Sequence, residues 1–158
     1  MAFREMRRKK QQVSREECVR ILREEKRGVL AVIGDEGYPY AIPLDFYYDE
    51  AEDIIYFHCA KKGHKIDAIK NCDKVCFTVW NRGYQKEDWS YFVTSVVAMG
   101  RARLITDESV TYEKAKAIGL KYYPSAPEVD EELKKDVHRV QIVAISIEHM
   151  TGKLVHEK

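Results

Sequence analysis

The apolar positions Cys18, Ile21 and Leu22 share one helical face, and Ser14-Arg15-Glu16-Glu17 ahead of them has the Ser-x-x-Glu spacing of a capping box. In such a box Ser14 and Glu17 each satisfy the other's backbone N–H, so a helix is predicted over about 14–26. Gly28 interrupts it, and Val29-Leu30-Ala31-Val32-Ile33 is a continuous apolar run entering the turn Gly34-Asp35-Glu36-Gly37. This is the pattern of a buried strand. Tyr38 to Tyr48 returns at once, aromatic and apolar, with Pro39 and Pro43 each removing a ladder donor. The strand must be bulged at those points or have its edge free, and such places often face ligands.

Asp49 to Asp53 is an acidic turn, and Ile54-Ile55-Tyr56-Phe57-His58-Cys59 reads as a third strand, ended by Ala60-Lys61-Lys62-Gly63-His64-Lys65. Ile66 and Ile69 mark a short helix over Lys65 to Asn71. Lys74 to Trp80 alternates, with Val75, Phe77 and Val79 set against Cys76, Thr78 and Trp80, and Tyr91 to Ile105 supplies one or two further strands. Asp107 caps a helix reaching about Tyr122, which Pro124 and Pro127 close. Glu128 to Asp136 adds a short acidic helix. Val137 to Ile147 is the last predicted strand, and Glu148-His149-Met150-Thr151-Gly152-Lys153 is expected to turn out of it.

No repeat, linker or low-complexity tract divides the chain, so a single domain is expected over residues 1–158. Strands joined by short turns, rather than alternating with long helices, favour a barrel over a doubly wound sheet. The expected class is mainly β with flanking helices, an antiparallel sheet of six or seven strands.

Composition changes this picture little: 45% hydrophobic, 34% charged and 11% aromatic residues describe a globular chain. No run approaches the roughly 20 apolar residues of a membrane helix, and Met1 to Gln12 lacks the apolar core of a secretory signal. A cytoplasmic location is therefore expected, with no membrane partner. The net charge of +1 conceals a basic start, read as an exposed, partly frayed arm over residues 1–12. No RNA-binding or helix-turn-helix motif accompanies it, so nucleic acid is not an expected partner. Cys18, Cys59, Cys72 and Cys76 contain no paired C-x-x-C, and they are read as reduced thiols with no metal site.

The loop Ala60 to Lys65 is the most informative chemistry, because three lysines, a histidine and a glycine lie between a strand end and a helix start. The first-turn amides of that helix are unsatisfied donors at the positive dipole end, and Lys65 with Lys61 or Lys62 can neutralise a phosphate there. A solvated turn is the alternative. His58 and Cys59 are strand neighbours and point to opposite faces, which separates them as a nucleophile pair. No Gly-x-Ser-x-Gly, His-Glu-x-x-His or Gly-x-Gly-x-x-Gly pattern occurs, so hydrolase chemistry and a Rossmann segment have no support.

Taken in order, Gly37-Tyr38-Pro39-Tyr40-Ala41-Ile42-Pro43-Leu44, Ile55-Tyr56-Phe57-His58-Cys59-Ala60, Gly63-His64-Lys65, Ser95-Val96-Val97-Ala98-Met99-Gly100-Arg101 and Met150-Thr151-Gly152-Lys153 resemble the flavin-binding split barrels related to pyridoxamine 5′-phosphate oxidase. Within that superfamily the chain is most similar to the branch containing the nitroimidazole-resistance (Nim) proteins. In the oxidases the corresponding strand and loop carry Phe-Tyr-Thr-Asn and then Ser-Arg-Lys, whose basic pair holds the FMN phosphate. The resemblance gives that role to His64 and Lys65, and puts His58 and Cys59 at the cofactor. It lays Ile42, Pro43 and Leu44 along the isoalloxazine, and has Ser95 reach flavin from the second subunit of a homodimer.

What the resemblance implies is an FMN-binding split β-barrel that passes electrons from a nicotinamide nucleotide, NAD(P)H, to a small acceptor such as a nitroaromatic or quinone. His58 is the implied residue beside the substrate. A flavin or haem carrier or sensor without turnover is the alternative. Pyridoxamine phosphate oxidation is disfavoured, because the oxidases grip their substrate with a Trp and Arg tail and Glu148 to Lys158 contains neither.

Overall fold

The computed structural model describes residues 2–123 and 125–157. In chain order its elements are α1 (Arg15–Glu24), β1 (Arg27–Ile33), β2 (Pro39–Asp45), β3 (Tyr47–Asp49), β4 (Ile54–Ala60), α2 (His64–Asn71), β5 (Lys74–Trp80), β6 (Tyr84–Gln85), β7 (Tyr91–Leu104), α3 (Glu108–Tyr122), α4 (Ala126–Asp136) and β8 (Val140–Glu157). Seven strands form one antiparallel path, β2-β1-β5-β7-β8-β4-β3, and the two-residue β6 pairs with β7. Although β2 and β4 lie far apart on this path, they approach each other in space. The sheet therefore curls into a barrel left split along one side, as expected.

Alternation along the strands sorts the core into two clusters. Inside the curl, Leu30, Phe57, Phe77, Val96 and Ile145 meet Ile21 and Leu22 of α1 and Ile66 and Ile69 of α2. On the outer face of β4 and β8, Tyr56, Ile142 and Ala144 are covered by Ala115 and Ile118 of α3 and by Val129 and Leu133 of α4. Phe46, Phe57 and Phe77 are each 0% exposed, and such burial is worth about 1.5–3 kcal/mol per side chain relative to exposure.

Several local expectations hold with a physical amendment. Ser14 Oγ accepts the N–H of Glu17 at 3.1 Å, but the Glu17 carboxylate accepts from Arg20, at 2.9 Å from Nε, so only half of the capping box forms. Gly28 belongs to β1, where any Cβ would run into the Phe77 ring and lie 2.9 Å from the Thr78 carbonyl. Tyr91 to Leu104 is one strand of 14 residues rather than two. Asp107 caps α3 by accepting the Val110 N–H at 3.0 Å.

Two expectations are corrected. Residues 148–153 do not leave the sheet: β8 runs on to Glu157, and its pairing shifts by one residue between Met99 and Gly100, opposite His149 and Ile147. Glu148 is the extra residue of this bulge, and its carboxylate accepts from Arg101 Nε at 2.9 Å. The polar run resembles a turn because one side of a bulged strand faces outward. Pro127 does not close α3; it sits in the first turn of α4, where a missing N–H costs nothing. Pro124 lies outside the described residues.

Candidate functional site

The split is bounded by two strand edges. β2 ends the sheet and bonds only β1, while β3 covers only Ile54 to Tyr56 of β4. From Phe57 to Ala60 β4 thus has no strand partner on that side among the described residues. Pro39 and Pro43 keep β2 in unbroken register with β1, opposite Ile33 and Val29. Antiparallel residues turn their N–H and C=O alternately toward and away from the neighbour, so two prolines four residues apart both occupy the outward parity. They cost the sheet no bond and leave carbonyls on the open edge. Ile42 and Leu44 are half-buried toward the barrel, whereas Pro43 is exposed.

On the opposite lip the alternation of β4 divides the two candidate residues. Cys59 packs against the barrel core, and burial raises its thiol pKa while Lys65 opposes the rise. His58 lies on the helix side and, with Asp45, borders a cavity of about 390 Å³ beneath α3 and α4. Its ring is exposed in the single chain, yet the protein around it lowers its pKa by desolvation, opposed by Asp45 and reinforced by Lys65. His58 is therefore mostly neutral at pH 7.

One end of the split is occupied by the start of α2. Gly63 precedes it with φ 138°, a backbone region that favours glycine, and a Cβ there would meet nothing within 4 Å. The N–H groups of Ile66 and Asp67 bond the Gly63 carbonyl at 3.0 and 3.1 Å. Those of His64 and Lys65 have no backbone acceptor among the described residues. Lys65 is half-buried, forms no ion pair among the described residues, and its charge is felt by both His58 and Cys59. His64 is committed differently. Its ring stacks on Tyr40 at 4.1 Å, and Nε2 accepts the Asp35 N–H at 3.2 Å, which leaves Nδ1–H as its free donor.

The other end is closed by a strap that sequence reasoning missed. Phe46 joins β2 to β3, and the Tyr122 hydroxyl accepts its N–H at 2.9 Å and donates toward the carbonyls of Phe46, at 2.8 Å, and Lys26. Lys121 donates to the carbonyls of Glu25 at 2.6 Å and Phe46 at 3.1 Å, with its ammonium 3.9 Å from the centre of the Phe46 ring. Burial pushes Lys121 down to about 8, against the pull of Asp45 and Glu25, and pushes Tyr122 up to about 12. Contacts spanning 76 residues of sequence leave no local signal by which to find them.

Ser95 is not part of this assembly. It lies on the outer face of β7, opposite Trp80 of β5 and Lys153 of β8. Trp80 beside it, and Met99 and Ile33 farther along, are exposed on the sheet face that carries no helix of the barrel, and Phe3 of the N-terminal arm stacks on His149 at 4.7 Å. The structure thus brings Ile42, Pro43, Leu44, His58, Cys59, His64 and Lys65 around one split and leaves Ser95 behind it. Among the described residues no group of three His, Cys, Asp or Glu side chains is placed to hold a metal ion. No described helix is long and apolar enough to cross a membrane.

The family described as Pyridoxamine 5'-phosphate oxidase matches residues 14–154. The chain belongs to that family. No curated protein sequence matches it. Among solved structures, one described as a candidate 5-nitroimidazole antibiotic resistance protein from Bacteroides thetaiotaomicron superposes with a TM-score of 0.79 at 21% identity, over 92% of this chain and 87% of that one. A FAD-binding protein from Mesorhizobium loti gives 0.67 at 23% identity, covering 91% and 96%. A FAD and heme binding protein from Mycobacterium smegmatis gives 0.74 at 18% identity, covering 91% and 73%. At these identities the likeness is one of fold, and it places the oxidase-family chain among split barrels.

Proposed function

We propose that the protein is an FMN-binding oxidoreductase that works as a homodimer. The observation that carries this is Lys65: a half-buried ammonium, without an ion pair among the described residues, at a helix start whose first amides are free. That combination is suited to a terminal phosphate dianion, which favours FMN over a longer dinucleotide. Family membership and the neighbours described as FAD-binding support a flavin in the same fold.

In this reading the groups along the split suit the phosphate and the ring system of FMN. Lys65 and the Nδ1–H of His64 hold the phosphate, the open edge of β2 from Ile42 to Leu44 lies along the ring system, and Cys59 and His58 flank it from β4. Flavin supplies the hydride chemistry when bound, and the protein positions it and excludes water. Neutral His58 offers a hydrogen bond to an acceptor without adding charge. Ser95 can reach such a site only from a second copy, and the exposed Trp80, Met99 and Ile33 along its side of the sheet form a face that a closed twofold dimer would bury. A nicotinamide nucleotide is the proposed electron donor, and a small nitroaromatic or quinone the acceptor.

The experiment is reconstitution with FMN followed by NADH and NADPH oxidation, with and without an acceptor. Flavin absorption bands together with acceptor-stimulated turnover are expected. Failure to take up any flavin would refute the reading. A carrier without turnover is the second reading, favoured by the likeness to a FAD and heme binding protein. Tight cofactor uptake with no oxidation of either nucleotide would select it.

A further inference from the structure

The cavity beneath α3 and α4 has no part in holding FMN as described above, yet two of its lining residues, His58 and Asp45, belong to the lips of the split. It therefore opens beside the proposed ring position, on the face of β4 opposite Cys59. Its volume, about 390 Å³, falls at the small end of the roughly 300–1,000 Å³ usual for small-molecule sites. That suits a single substituted ring and is too small for a nicotinamide dinucleotide. The walls are apolar and aromatic, with Ile118 and Tyr122 from α3 and Leu133 from α4. The two helices are pressed together at Gly119, where a Cβ would lie 2.7 Å from Val129, so the cavity cannot widen cheaply on that side.

Its charges are one-sided. Asp45, Glu132 and Asp136 line it, and among the described residues no lysine or arginine does. Asp45 is paired with Arg27 at 3.1 Å and Asp136 with Arg139 at 3.8 Å, both exposed arginines, while Glu132 has no ion pair among the described residues. Three lysines stand nearby without lining the cavity, and the ammonium of one, Lys26, lies 5.9 Å from the centre of the Tyr122 ring. Lys121 is committed to the carbonyls of Glu25 and Phe46, and Lys65 is assigned to phosphate. The carboxylates are part of the cavity wall, whereas these cations stand outside it.

We propose that this cavity is the acceptor pocket, and that it admits compact aromatic molecules that are neutral or positively charged while turning away carboxylates and phosphates. The proposal rests on the flavin reading for the word acceptor, but the pocket and its charge selection stand on the cavity itself. The test is calorimetric titration with 4-nitrobenzyl alcohol, 4-nitrobenzylamine and 4-nitrobenzoate, which share a ring and differ in charge, on the protein with and without FMN. The alcohol and the amine should bind, and the benzoate at least about tenfold more weakly. Glu132→Lys, at an exposed position, should bring benzoate to within about threefold of the alcohol. Leu133→Trp should block all three probes while FMN uptake is retained, and should the bulky variant fail to fold, Glu132→Lys decides alone. Benzoate binding as tightly as the alcohol in the wild type, or no change in selectivity in Glu132→Lys, overturns the proposal. Uptake of FMN with none of the probes bound overturns the pocket alone. Charge-selective probe binding without FMN uptake upholds the pocket and removes the flavin reading.

Discussion

Replacing Tyr122 by Phe removes one oxygen atom from the strap that closes the split, and the structure allows its cost to be apportioned. The ring stays, so packing and the contact with Lys121 are retained. Of the groups that lose a partner, the Phe46 carbonyl keeps Lys121 at 3.1 Å, and the Lys26 carbonyl belongs to an exposed residue and can turn to water. The Phe46 N–H has neither recourse, because Phe46 is 0% exposed and Tyr122 is its acceptor. An orphaned buried donor costs about 1–3 kcal/mol. For a chain of this size each kcal/mol lowers the melting temperature by about 2–4 °C, so a central value near 2 kcal/mol should appear as a drop of roughly 4–8 °C. Thermal and urea unfolding of Tyr122→Phe beside Tyr123→Phe measures it; Tyr123 is 48% exposed, and its hydroxyl should be worth less than about 0.5 kcal/mol. A Tyr122→Phe protein that melts with the wild type would show that the strap does not hold the end of the split.

His58→Ala should change the flavin spectrum or turnover while leaving the melting temperature and FMN affinity nearly intact; wild-type kinetics with a clear loss of stability would make His58 a structural residue instead. Lys121, pushed down to about 8 from an unfolded value of 10.5, holds its proton less tightly in the folded state. Its burial penalty is thus full below about pH 8 and is relieved as pH rises toward 10.5, so the wild type should gain stability over Lys121→Met between pH 7.5 and 9.5. Parallel unfolding midpoints for the two proteins across that range would contradict this. Light scattering of the FMN-loaded protein should report about 37 kDa, twice the chain mass of 18.5 kDa. A monomer that holds FMN equally well would overturn the dimer and the role of Ser95 together.

The parts of this molecule that could be read from the chain are those governed by local periodicity and capping. β5 runs from Lys74 to Trp80 as its alternation predicts, and Ser14 and Asp107 start α1 and α3 through their own side chains. The prolines of β2 marked an open edge correctly, because a missing donor is a property of one residue. What stayed hidden depends on partners distant in sequence. The bulge at Glu148 is set by pairing with β7, so a polar stretch in register with Ser95 to Met99 was indistinguishable from a turn. Gly152 is likewise read only in three dimensions: a Cβ there would run into Cys18 of α1 and lie 2.5 Å from Val13 just ahead of it. At the site, the loop through Gly63 and the helix start beside Lys65 were legible in the sequence, whereas the engagement of His64 by Asp35 and the strap from α3 required the fold.

The central claim is that the terminal phosphate of FMN sits at the start of α2 against Lys65, and paired titrations with FMN and riboflavin test it most directly. The two flavins share a ring and differ by the phosphate, so any difference in affinity reports the phosphate site. Wild-type protein should bind FMN more tightly than riboflavin, and Lys65→Ala should weaken FMN by about 1.5–3 kcal/mol, or roughly 10- to 150-fold, with riboflavin unchanged. Equal affinity for FMN in the wild type and in Lys65→Ala would contradict it.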